Sequence, residues 1–139
     1  MEKPIKNITP AEFKTYGYVI EHDYKKDNFQ VVLTESDELG WRIAVSKITS
    51  KSVSRFGRHP NSMESFEPME GTTCICVAGV ETPEDYEIFL LDKPVCLFKN
   101  VWHAVFCLSE FSYIKITENA VVDSKEHILD ESIRIIAVG

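Results

Sequence analysis

Apolar positions in this chain fall into short runs, without a sustained helical period. Residues 29–33 and 41–48 are rich in β-branched and aromatic side chains, and the polar stretch 35–40 separates them. Further apolar runs follow at 73–80, 86–91, 95–98, 102–108, 111–117 and 133–138, punctuated by Pro68, Gly71, Gly79, Pro83, Asp92-Lys93-Pro94 and Ser109-Glu110. Runs of about 4–8 such residues between turn formers predict strands, and many of them at this cadence predict an antiparallel sandwich or barrel. One helix is expected near the N-terminus: Thr9 supplies a cap, Pro10 suits the first helical position, Glu12 the third, and Gly17 stops the helix after Tyr16. The polar stretch 123–131 is expected to form a helical turn. The apolar run behind it is expected to pair with a sheet or a second subunit, so a homodimer is expected.

Composition narrows the class. With 139 residues, 44% of them hydrophobic and 27% charged, the chain suits one globular domain over residues 1–139 with its own core. A net charge of −7 argues against a general affinity for nucleic acid, which needs a concentrated basic surface. Lys47, Lys51 and Arg55 read as solvated edge charges. No apolar run approaches the roughly 20 residues a membrane helix needs, and no apolar segment follows the N-terminal lysines, so a cytoplasmic protein with no membrane partner is expected. The four cysteines, Cys74, Cys76, Cys96 and Cys107, lack zinc-knuckle spacing and read as buried, reduced thiols. His22 and His127 lie in polar segments and read as surface residues.

The chemistry concentrates elsewhere. In Arg58-His59-Pro60-Asn61-Ser62-Met63-Glu64 a histidine precedes a carboxylate by five positions, Gly71 follows seven further on, and Trp102-His103 comes after intervening strands. Side chains alternate between the faces of a strand, so a histidine entering a turn and a glutamate on the returning strand can point into one interior, which His103 approaches from the opposite wall. Two imidazoles and a carboxylate aimed at one point can hold a divalent metal, or they can work as acid and base on an organic substrate. The spacing is compatible with both.

This spacing resembles the two motifs of the cupin barrel, which implies an all-β, RmlC-like jelly roll, an antiparallel β-barrel with a short N-terminal helix. Three further segments resemble the ureidoglycolate lyases: Thr9 to Glu21 with its tyrosine-glycine turn, Arg58-His59-Pro60 followed by Ser65-Phe66-Glu67-Pro68-Met69, and Asn100-Val101-Trp102-His103. The resemblance implies a dimer that splits ureidoglycolate, a small carboxylate, into glyoxylate and urea, or a divergent relative of such an enzyme acting on another small hydroxy or keto acid. It implies His59, Glu64 and His103 as proton-transfer groups or metal ligands, and Arg58 and Lys99 as cations for the substrate carboxylate; Phe98 and Trp102, which flank the candidate site in sequence, are expected to shape a substrate wall. The chain departs from that family at Leu97 and Phe98, where a tyrosine and a histidine are usual, at Lys99 for arginine, at Ala104 for histidine, at Val105 for proline, and at Glu64 for glutamine. The apolar replacements favour an alternative of another class, a non-catalytic cupin that binds a small metabolite or carbohydrate.

Overall fold

The computed structural model describes residues 2–24 and 28–136. Its elements are β1 (Ile5–Asn7), α1 (Pro10–Phe13), β2 (Gly17–Val19), β3 (Trp41–Ile48), β4 (Ser52–Arg58), β5 (Glu64–Glu70), β6 (Thr73–Ala78), β7 (Glu87–Leu90), β8 (Val95–Leu97), β9 (Trp102–Cys107), β10 (Ser112–Asn119) and β11 (Lys125–Arg134). They form two sheets, ordered β1-β7-β6-β9-β4-β11 and β2-β8-β5-β10-β3. From β3 to β10 the chain crosses between sheets at every connection except the β6–β7 hairpin, giving β3-β10-β5-β8 against β4-β9-β6-β7, the double Greek-key order of a jelly roll. The fold is therefore the expected all-β, cupin-type jelly roll with a short N-terminal helix. β1, β2 and β11 extend its edges.

Two apolar clusters follow from strand alternation. Between the sheets, Phe66, Ile75, Val77, Val95, Leu97 and Ile114 pack with Phe13 and Phe89. On the outer face of the first sheet, Phe56, Cys74, Cys76, Trp102 and Phe106 are covered by Leu129 and Ile133 of β11. All four cysteines are buried and free, and burial raises the Cys74 and Cys96 thiols to about 11, so they act as small hydrophobes. No helix among the described residues is long and apolar enough to cross a membrane.

Several expectations are corrected. Residues 29–33 are not a strand; Phe29 is 85% exposed, because β-propensity without a paired neighbour does not make one. Residues 123–131 form most of β11, not a helical turn; their polarity reflects an edge strand facing water. The last apolar run stops being strand at Arg134, and residues 137 and 138 lie outside the described residues. Gly17 begins β2, and it is glycine because a Cβ there would lie 2.1 Å from the Cys96 carbonyl oxygen. Thr9 does cap α1, accepting from the Glu12 amide at 3.1 Å. Lys51 is no free edge charge: it donates to the carbonyls of Ser109 and, at 3.1 Å, Glu110. His127 is half-buried against Trp102 and paired with Glu84.

Candidate functional site

Glu64 opens β5 with its side chain between the sheets, in a row that crosses four strands: Leu97 of β8, Glu64 of β5, Glu118 of β10 and Arg42 of β3. From the facing sheet comes His103, paired between Gly57 and Val77, with Gly57 adding no side chain beside it. His59 follows β4 directly. The three side chains meet: His103 Nε2 lies 2.8 Å and His59 Nε2 3.2 Å from Glu64 Oε1, with side-chain exposures of 11%, 16% and 8% for His103, His59 and Glu64. One ligand atom from each lies within 4.8 Å of the others. Phe66 closes one side, its ring centroid 5.5 Å from that of His103.

The remote ring nitrogens are occupied. His59 Nδ1 lies 3.1 Å from the Asp123 carbonyl and His103 Nδ1 3.0 Å from that of Val101. Carbonyls only accept, so these contacts place the proton on Nδ1 and leave the Nε2 lone pairs facing Glu64. Neither Nε2 is aligned to donate to Oε1, which is buried without a hydrogen bond. In the His127–Glu84 pair, by contrast, the alignment is met. With both imidazoles neutral, two ring nitrogens and a carboxylate oxygen converge as a donor set for a cation, with carbonyls behind the imidazoles as in metal centres. The residues fit a divalent metal.

Charge follows geometry. Burial opposes ionisation of Glu64, but His103 and then His59 outweigh it and hold the carboxyl well below the usual range. His59 is raised, chiefly by polar contact with Glu64 and against its own burial. Glu118 is raised, first by burial and also by Glu64 beside it, against the opposing pull of Arg42. Arg42 grips only Oε2 of Glu118, through Nε at 2.8 Å and a terminal nitrogen at 2.6 Å.

Of the residues expected on the substrate wall, Phe98 packs on the inner core and edge-on to Tyr18 at 5.1 Å. Lys99 is paired with Glu35 at 2.9 Å. Arg58 and Trp102 are corrections: alternation turns Trp102 to the face opposite His103, where its indole donates to the Val80 carbonyl at 2.9 Å. The Arg58 guanidinium stacks over that ring at 5.1 Å and donates to Asn100 Oδ1 at 2.6 Å.

Sequence reasoning missed the supports. Asn61 donates to the Val121 carbonyl and accepts from the Asp123 amide at 2.8 Å, while Ser62 accepts from the Asn119 amide at 3.0 Å. These bonds fasten the turn carrying His59 to the segment whose carbonyl orients its ring. Glu118 and Arg42 were missed because only the register of β5, β10 and β3 brings them to Glu64.

Fold and site together define a cupin-type jelly roll with a buried His-Glu-His cluster. No family model and no curated protein matches the chain. Among solved structures it is similar to a point mutant of Bacillus subtilis oxalate decarboxylase, at 12% identity and a TM-score of 0.46 over 66% of this chain. It is also similar to a dTDP sugar isomerase from Desulfovibrio desulfuricans G20, at 13% identity and a TM-score of 0.45, covering 85% of this chain and 72% of that one. The chain spans 24% of the oxalate decarboxylase.

Proposed function

We propose that this chain is a metal-dependent cupin in which His59, Glu64 and His103 hold one divalent cation, and that it acts on a small carboxylate of the ureidoglycolate type. The observation that carries the reading is Glu64 Oε1, buried, without a hydrogen bond, and facing two Nε2 atoms whose partner nitrogens are tied to carbonyls. A bound divalent cation would supply Lewis-acid polarisation and a positive charge for an anionic substrate. The chain supplies the rest. Ureidoglycolate cleavage needs a proton removed from the carbinol hydroxyl and one delivered to the departing nitrogen. Glu118 Oε1, the oxygen Arg42 leaves free, is the group placed to hold a proton beside Glu64. Phe66 and Leu97 exclude water from the cluster.

The test is metal content followed by turnover. Protein purified without chelators is expected to carry one divalent ion per chain, with loss of binding in Glu64→Gln and His103→Ala. The loaded protein is expected to release urea and glyoxylate from ureidoglycolate, and a chelator is expected to stop it. Failure of the metal-free protein to take up Mn²⁺, Co²⁺ or Zn²⁺ would sink the metal centre. Uptake without turnover would favour the second reading, a cupin that binds a small metabolite without converting it. Fully buried Leu97 and half-buried Phe98 and Ala104, where the lyases carry polar groups, favour that reading.

A further inference from the structure

Two sheets have four edges, and three of these are protected. β1 and β2 are each 3 residues long. β11 breaks register between Ile128 and Ile133 and carries Lys125, Glu126, Asp130 and Glu131. Short strands, bulges and charges are the devices that stop a sheet edge from pairing with another chain. β3 is neither short nor bulged, and its only charges are Arg42 and Lys47. Its 8 residues run in unbroken register with β10, and among the described residues no strand lies on its other side. Trp41, Ile43 and Val45 stand on the outer face, 69%, 53% and 58% exposed, and Arg42 and Ala44 on the inner face are exposed too. A long, regular, apolar edge left open on both faces is a pairing surface.

We propose that β3 pairs antiparallel with β3 of a second copy about a two-fold axis at Ala44, joining two five-stranded sheets into one. A two-fold axis normal to the sheet keeps each face on its own side, so facing residues must have matching parity. Placing Ala44 opposite itself keeps positions 41 to 47 within the strand. It sets Ile43 against the second copy's Val45, and Trp41 against its Lys47, whose stem covers the indole and whose ammonium meets the ring face. Charge permits the approach. The chain carries −7 overall, but β3 holds only the basic residues Arg42 and Lys47. Arg42 lies 2.6 Å from Glu118, and the register sets Arg42 against Ser46 and Lys47 against Trp41, so no like charges face each other. The partner is therefore a second copy of this chain, on an edge distinct from the last strand, which β4 already occupies. The metal centre plays no part in the inference.

Sedimentation equilibrium on the full chain tests it. The wild type is expected to be a dimer. Ile43→Lys, which puts a charge into the apolar pair, is expected to weaken it about tenfold or more, and Ile43→Val is expected to preserve it. Ala44→Cys is expected to give a disulfide-linked dimer on mild oxidation, because directly opposed residues lie about 4.5–5.5 Å apart, whereas wild type with its buried thiols and Ile43→Cys are expected not to. A monomeric wild type, or a dimer indifferent to Ile43→Lys, overturns the proposal. Linkage through Ile43→Cys but not Ala44→Cys overturns the register. An unchanged circular dichroism spectrum separates lost association from lost folding.

Discussion

Gly71 turns the chain from β5 into β6 at a φ of +75°, where a Cβ would lie 2.4 Å from the Phe111 carbonyl oxygen. Both facts demand glycine, and neither involves the His-Glu-His cluster. Gly71→Ala is therefore expected to lower stability by about 2 kcal/mol or more, read as a shift in the denaturant midpoint, while the protein that remains folded keeps its metal affinity. A loss of metal affinity at unchanged stability would assign Gly71 to the site instead. Single residues also show what was legible. His59 and Glu64 flank the short turn from β4 into β5, so nearness in sequence brings them together, and His103 could be added because it sits on the inward parity of a long apolar run. Arg58 and Trp102 were misplaced for the converse reason. Each adjoins a site histidine in sequence, and alternation sends adjacent side chains to opposite faces.

At the scale of elements, the turn after β4 is held by polar side chains, not by packing. Asn61 bridges the Val121 carbonyl and the Asp123 amide, and Asn119 Nδ2 returns a bond to the Asn61 carbonyl at 2.7 Å. Asp123 in turn presents its carbonyl to His59. Asn61→Ala releases that segment and with it the orientation of one imidazole, so metal affinity is expected to fall about 10–100-fold, the usual effect of losing an outer support. Isothermal titration with Co²⁺ reads the change; an affinity within error of wild type would show that the turn holds itself. Elements were legible in proportion to how far their own residues determine them. α1 carries its cap, and the apolar strands β6, β9 and β10 announce themselves. β11 and residues 29–33 were exchanged, strand for turn and coil for strand, because pairing decides both. The polar residues of β11 are paired to β4, whereas residues 29–33 join no ladder among the described residues. The Glu64–Glu118–Arg42 row was illegible for the same reason, since it exists only in the register of three strands.

For the whole molecule, the cluster couples folding to pH with a sign that depends on the metal. In the metal-free protein, Glu64 raises His59 above the ordinary imidazole value of about 6.5. The native state therefore holds a proton that the unfolded chain releases earlier. That stabilisation is complete below the unfolded value and is lost as pH rises through the raised native value. Glu64, held low, contributes above the ordinary carboxyl range and loses its contribution only in strong acid, so it is constant across this window. Metal reverses the trend, because it needs the imidazoles unprotonated and its binding adds to stability as pH rises. Melting temperatures taken from pH 6 upward are thus expected to fall in chelator relative to His59→Asn, with a slope of at most about 1.4 kcal/mol per pH unit, one proton's worth, and to rise in the presence of Co²⁺. His59→Asn keeps a side chain that can bond Asp123 but does not titrate, so it should flatten both trends. Parallel curves for wild type and His59→Asn in chelator would mean that Glu64 does not hold a proton on His59, and the electrostatic account of the cluster would fail with them.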